Sequence, residues 1–232
     1  MKIAAFMVLG AASFAFGQAA SATEPPAVLQ GQVSFQFERE GLPVPRYTVE
    51  IHEDGTGRYQ ADEAASVPNQ SSSAAQYVGG KHIDRVITLS PATVSKIFKQ
   101  ARSLDRFNIT CDSKAKNIAN TGKKTLTYVG PDGRGSCVYN YSDNKNVMAL
   151  SDMFLAIAFT MDEGRRLEFF HRYDRLGLDS EMSTLSHEVD EGRALELGTI
   201  APTLQSIEAD TAVIQRVRLR AGKLLEQSKD DK

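Results

Sequence analysis

The chain has 232 residues, is 41% hydrophobic and 24% charged, and carries a formal net charge of −2. That composition supplies enough apolar material for a buried core, in one domain or in two small ones. The near-neutral balance argues against a general binder of nucleic acid or of anionic membranes.

Residues 1–22 read as a secretory signal peptide. Lys2 is a short positive start, Ile3 to Phe16 is mostly apolar, and Ala20-Ser21-Ala22 fits the small-x-small cleavage rule. The mature chain then begins at Thr23, and a periplasmic or secreted location follows. The apolar run is shorter than the roughly 20 residues a membrane span needs. No cysteine follows it, which argues against a lipid-anchored lipoprotein, and no later segment is apolar enough to span. Removing Lys2 leaves 26 basic against 29 acidic residues, a net −3.

Residues 23–30, with Pro25-Pro26, read as a linker. Val33, Phe35 and Phe37 then alternate with Ser34, Gln36 and Glu38, the period of a half-buried strand. Tyr47, Val49 and Ile51 alternate next, and Asp54-Gly55-Thr56-Gly57 is a turn, so residues 46–53 and 57–61 form a hairpin. Residues 62–80 are rich in Ala, Ser, Gln and Asn. They read as a mobile loop, with a binding loop as the alternative. Residues 85–89 are a short strand. Ser90 and Pro91 open a helix as N-cap and first helical residue. Val94, Ile97, Phe98, Ala101 and Leu104 give it one apolar face, and Phe107 closes the packing beyond it. Residues 124–141 form a second hairpin about Pro131-Asp132-Gly133. In it Leu126 and Tyr128 share faces with Cys137, Tyr139 and Tyr141. Residues 31–144 therefore predict an α+β domain, a small antiparallel sheet with one packed helix.

Cys111 and Cys137 are the only cysteines. In an exported chain they predict a disulfide, worth about 3–4 kcal/mol in the chain-entropy model. Two buried thiols or a metal pair are the alternatives. No histidine lies between or beside them to complete a metal site.

Residues 145–227 predict a helical region of three or four helices packed on the sheet domain. Val147 to Met161 is apolar on more than one side. Leu167, Phe170 and Tyr173 continue inward, with a bend or break near Asp162-Glu163-Gly164. Gly177 is a helix stop. Asp179-Ser180 caps a second helix over 181–197, ended by Gly198. A third covers 202–227, with an interruption at Asp210-Thr211. Residues 228–232 read as a disordered tail.

No HExxH, GxSxG, P-loop or GxGxxG pattern occurs, so the sequence offers no metal, cofactor or nucleophile signature. The densest polar cluster spans residues 162–175. On a helix, Glu168, His171, Arg172 and Arg175 share a face. His171 could there pair with Glu168 or Asp174 and act as a general base. The plainer reading of this stretch is a salt-bridged outer face with Phe170 and Tyr173 in the core. Arg216, Arg220 and Lys223 form a basic stripe. It reads as charge complementarity with the acidic preceding helix, or as a patch for an anionic partner.

The chain resembles a group of uncharacterised bacterial exported proteins that carry a domain of unknown function. The resemblance rests on Tyr47-x-Val-x-Ile-x-x-Asp54-Gly-x-Gly-x-Tyr59, Leu89-Ser-Pro, Thr121-Gly-Lys-Lys-Thr125, Tyr139-Asn-Tyr141 and the string from Gly164 to Leu178. It implies an exported α+β domain with a helical tail, and it brings no activity. The first functional reading is a non-enzymatic binding or structural module, with another envelope protein as candidate partner. The second is a hydrolase-type enzyme using Glu168, His171 and Asp174. The third is a subunit of an envelope assembly.

Overall fold

Alternation in the first strand sets the architecture. In β1 (Gln32–Glu38), Val33, Phe35 and Phe37 are buried while their neighbours face outward. A computed structural model of the protein describes residues 30–64 and 80–230. In it β1 lies inside a six-stranded antiparallel sheet with β2 (Arg46–His52), β3 (Thr56–Glu63), β4 (Lys81–Thr88), β5 (Lys123–Gly130) and β6 (Gly133–Tyr139). The strand order is β4-β3-β2-β1-β5-β6. Register carries the buried rows across the sheet: Phe35 sits opposite Val49 on one side and Leu126 on the other. Because strand side chains alternate, one face is apolar and the other is polar.

The buried face is covered by two helices. α1 (Pro91–Ser103) starts as its sequence predicts, with the Ser90 hydroxyl accepting from the Thr93 amide at 3.3 Å and Pro91 at the first position. It buries Val94, Ile97, Phe98 and Ala101. The second helix is the N-terminal half of α2 (Lys145–Tyr173), where Phe154 stacks on Phe35 with ring centroids 5.2 Å apart. Beyond it come α3 (Leu178–Asp190), α4 (Ala201–Ala209) and α5 (Gln215–Asp230). These pack around the C-terminal half of α2 in a second apolar core built on Leu167, Met182, Leu204 and Val217.

The fold is therefore α+β, as the sequence predicts, and Cys111 and Cys137 form the disulfide, with Cα atoms 5.8 Å apart. Neither thiol remains free among the described residues. No helix among the described residues is long and apolar enough to cross a membrane. The signal peptide and most of the 62–80 loop fall outside the described residues. The part that is described differs from a loop, since Asp62 and Glu63 belong to β3.

Several expectations need correction. The long helix does not break at Asp162-Glu163-Gly164; α2 runs unbroken for 29 residues. Gly164 serves close approach instead, because a Cβ there would lie 2.3 Å from Cγ2 of Ile200. Tyr173 is 66% exposed and Tyr141 is 40% exposed, so neither is core. α3 begins at Leu178, before Asp179-Ser180, and stops at Asp190, with Gly192 at φ +70° just beyond. Gly198 lies in a 3-10 turn, Leu197–Ile200. The third helix is interrupted between Ala209 and Gln215. α5 continues to Asp230, and Ser228 is buried and donates to the Leu225 carbonyl at 2.7 Å, so the tail begins later than the sequence suggests.

Gly164→Ala tests the close approach. Alanine favours a helix interior over glycine by about 1 kcal/mol, but an overpacked methyl costs typically 1–3 kcal/mol. The urea midpoint should fall despite the better helix former; a midpoint at or above that of the wild type would contradict the packing.

Candidate functional site

The C-terminal half of α2 presents several polar residues to β3, β4, α3 and the α4–α5 break. Glu168 takes a two-pronged contact from Arg85 of β4, at 3.0 and 2.7 Å, and a bond from the Thr203 hydroxyl at 3.1 Å. Partial burial pushes its carboxyl up, but Arg85, Thr203 and Arg165 together outweigh this and the net direction is down. His171 reaches neither Glu168 nor Asp174. Its Nε2 lies 3.0 Å from Oδ2 of Asp210, in the break between α4 and α5, and Arg175 approaches the same oxygen at 3.3 Å. The Ala212 amide first, and His171 second, hold the Asp210 carboxyl below its usual range. Asp174 points elsewhere, accepting from the amides of Leu176 and Gly177 at 3.2 and 3.1 Å to close the turn after α2.

Glu168, His171 and Asp210 line a concavity of about 410 Å³ together with Ser206. Asp174 does not line it. A histidine base acts on a side-chain nucleophile, a water or the substrate held within hydrogen-bond reach of its free nitrogen. Among the described residues no hydrogen bond joins His171 to Ser206. No group of three His, Cys, Asp or Glu side chains that could hold a metal ion lies among them either.

The basic stripe is partly neutralised in the same way. Arg216 forks onto Asp179 of α3 at 3.0 and 2.6 Å, and Arg220 adds a bond at 2.8 Å. The Arg216 hydrogen bonds hold the Asp179 carboxyl below its usual range. Lys223 is exposed and joins no ion pair among the described residues. The geometry is that of complementarity between neighbouring helices, centred on Asp179.

A larger concavity, about 530 Å³, opens between α1 and the β2–β3 turn. Its floor is Leu89, Val94 and Phe98, and Glu53, Lys99 and Arg102 stand on its rim. Arg102 ties three elements together. It bonds Glu53 at 2.5 Å and Asp132 at 3.2 Å, and it lies over the Phe98 and Tyr128 rings at 5.7 and 5.9 Å. The Tyr128 hydroxyl first, then Arg102, draw the Asp132 carboxyl down to about 2. The chain enters this hub through a left-handed turn, with Asp105, Arg106 and Phe107 at φ 49°, 56° and 68°. Such a turn costs roughly 1–2 kcal/mol per residue. Burial of Phe107 and the Arg106–Asp132 pair at 3.2 Å hold it.

Sequence reading missed the most perturbed carboxyl. Glu163 is 2% exposed and faces Glu181 of α3, itself 8% exposed. Burial first, and the contact with Glu181 second, push the Glu163 carboxyl up to about 8. Arg166 bonds Glu181 at 2.7 Å but cannot neutralise both. Nothing in the one-dimensional pattern marks Glu163, because the partner that perturbs it lies on another helix.

This pair makes a pH prediction. The native state holds a proton on Glu163 more tightly than the unfolded chain does. Its contribution to stability is therefore complete below about pH 4.5 and is lost as pH rises through about 8. Glu163→Gln removes the titration. The urea midpoint of the variant relative to wild type should climb between pH 5 and pH 9; parallel pH profiles would show that Glu163 does not titrate in this range.

No protein-family model matches the chain, and no curated protein is significantly similar to it.

Proposed function

We propose that the chain is an exported protein with a non-enzymatic role, a binding or structural module of the periplasm or cell exterior. One observation carries this reading: each candidate catalytic side chain is already committed to a structural partner. Glu168 anchors β4 through Arg85, His171 anchors the α4–α5 break through Asp210, and Asp174 closes a turn. His171 has no side-chain nucleophile hydrogen-bonded to it among the described residues, and its contact with Asp210 is accounted for by the structural tie. The resemblance to uncharacterised bacterial exported proteins and the apolar Ile3–Phe16 stretch support export. So does the disulfide, which suits an oxidising compartment. For a binding module, the 530 Å³ groove beside α1 is the natural ligand site, with its apolar floor and ion-paired rim.

The test uses the mature chain against its own envelope fraction. A partner or ligand should be retained by the wild type and by His171→Ala, and lost from Ser95→Trp, which fills the groove from an exposed position. Against chromogenic esters, phosphates, glycosides and peptides no turnover should appear. Turnover abolished by both His171→Ala and Glu168→Gln in folded protein would establish the hydrolase reading instead. Loss of the Arg85 fork in Glu168→Gln should itself cost only about 0.5–1 kcal/mol, because that pair is well exposed.

A further inference from the structure

The inward row of β1 runs through Val33, Phe35 and Phe37. Gly31 continues that row one step before the strand. It is buried, and its carbonyl accepts from the Glu53 amide at 2.9 Å, so the pairing with β2 extends one residue beyond Gln32 and His52. A Cβ on Gly31 would lie 3.1 Å from Cε1 of Phe98 and 2.8 Å from Oε2 of Glu53. Phe98 and Glu53 both line the 530 Å³ groove beside α1. The chain therefore passes along the wall of that groove as it enters β1.

The sequence before Gly31 keeps the same alternation. Gln30 is exposed, as an outward position requires. Leu29 then falls on the inward face of a continued strand, level with Gly55 of the β2–β3 turn. Gly55, Leu89, Val94 and Phe98 are the lining that this face looks onto. Further back, Pro25-Pro26 ends any strand pattern, because proline has no amide to donate. Ala27-Val28-Leu29 is thus the apolar run available beside the groove. It lies outside the described residues.

We propose that Leu29 seats in this groove, so that the chain's own N-terminal segment covers the space between α1 and the β2–β3 turn. Tethering favours this occupant over a second copy or a separate partner. Leu29 is two residues from Gly31, at most about 7 Å along an extended chain. A group held on so short a tether acts at an effective concentration on the order of millimolar. Modest apolar contact with Leu89, Val94 and Phe98 therefore suffices, whereas a partner from solution must also offset its lost freedom. The groove becomes self-occupied, and a ligand enters it by displacing Leu29. That consequence rests on the binding-module reading; the seating of Leu29 does not.

Nuclear Overhauser contacts in the disulfide-bonded chain from Thr23 onward test it. The Leu29 methyls should show contacts to the Val94 methyls and the Phe98 ring. Those contacts should be lost in Ser95→Trp, whose indole fills the groove from an exposed position. Leu29→Ser should lower the urea midpoint of the wild type and leave that of Ser95→Trp unchanged, because there Leu29 is already displaced. The dye anilinonaphthalene sulfonate should bind Leu29→Ser about tenfold more tightly than the wild type, since it no longer has to displace a leucine. No contact from Leu29 to either residue, an equal fall in midpoint in both backgrounds, or equal dye affinity would overturn the proposal. Failure of the binding-module reading has a different signature: Leu29 seated, and nothing retained from the envelope fraction even by Leu29→Ser.

Discussion

Gly164 and Ile200 touch where the two cores of the molecule meet. α2 is long enough, at 29 residues, to span about 43 Å. Its first half belongs to the sheet core through Leu150, Phe154 and Ile157, and its second half to the helical core through Leu167. A side chain at position 164 would hold the 197–200 turn away from the helix at the crossover. Without one, the turn seats directly on α2, and Glu196 beside it reaches back to the sheet half. There its carboxylate accepts from the Ser90 amide at 2.8 Å and from the Ser90 hydroxyl at 2.7 Å. The start of α1 is thus held by a residue from the helical half.

The same continuity supplies partners for the polar residues of α2. An unbroken helix lying along a sheet brings successive turns past successive strands. Asp162 accepts from the Tyr59 hydroxyl at 2.7 Å, Arg165 lies 3.5 Å from Glu63, and Glu168 takes the Arg85 fork. These ties lie along one side of the helix. Burial pushes the Asp162 carboxyl up despite the Tyr59 and Arg165 contacts, and Glu163, more deeply buried and facing another carboxyl, is pushed up further, to about 8.

Much of the fold was legible in the sequence because short-range rules govern it. Alternation marked β1 and β2, the Ser90-Pro91 pair marked the start of α1, and two cysteines behind a signal-like N-terminus marked the disulfide. The errors arose where a residue's role depends on a distant neighbour. Gly164 reads as a helix breaker until Ile200 is placed against it. Tyr173 sits at a spacing that suits a core position, yet the helical half leaves its face open. Lys124 looks like an ordinary strand lysine, but it is 4% exposed, and its ammonium donates to Thr121, to the Gly122 carbonyl and to the Asn140 carbonyl. The polar cluster of α2 shows the same dependence on distant neighbours. Glu168 and His171 share a helix face as their spacing requires, but their partners Arg85 and Asp210 come from 83 and 39 residues away.

If α2 fuses the two cores, the described domain should unfold as one unit. Calorimetry of the protein from Thr23 onward, with native-state amide exchange along Lys145–Tyr173, measures this most directly. The account predicts a single transition whose calorimetric and van't Hoff enthalpies agree, with amides around Gly164 protected as strongly as those around Phe154. Two resolved transitions, or rapid exchange confined to the turns around Gly164, would show that the helix is a joint between independent halves.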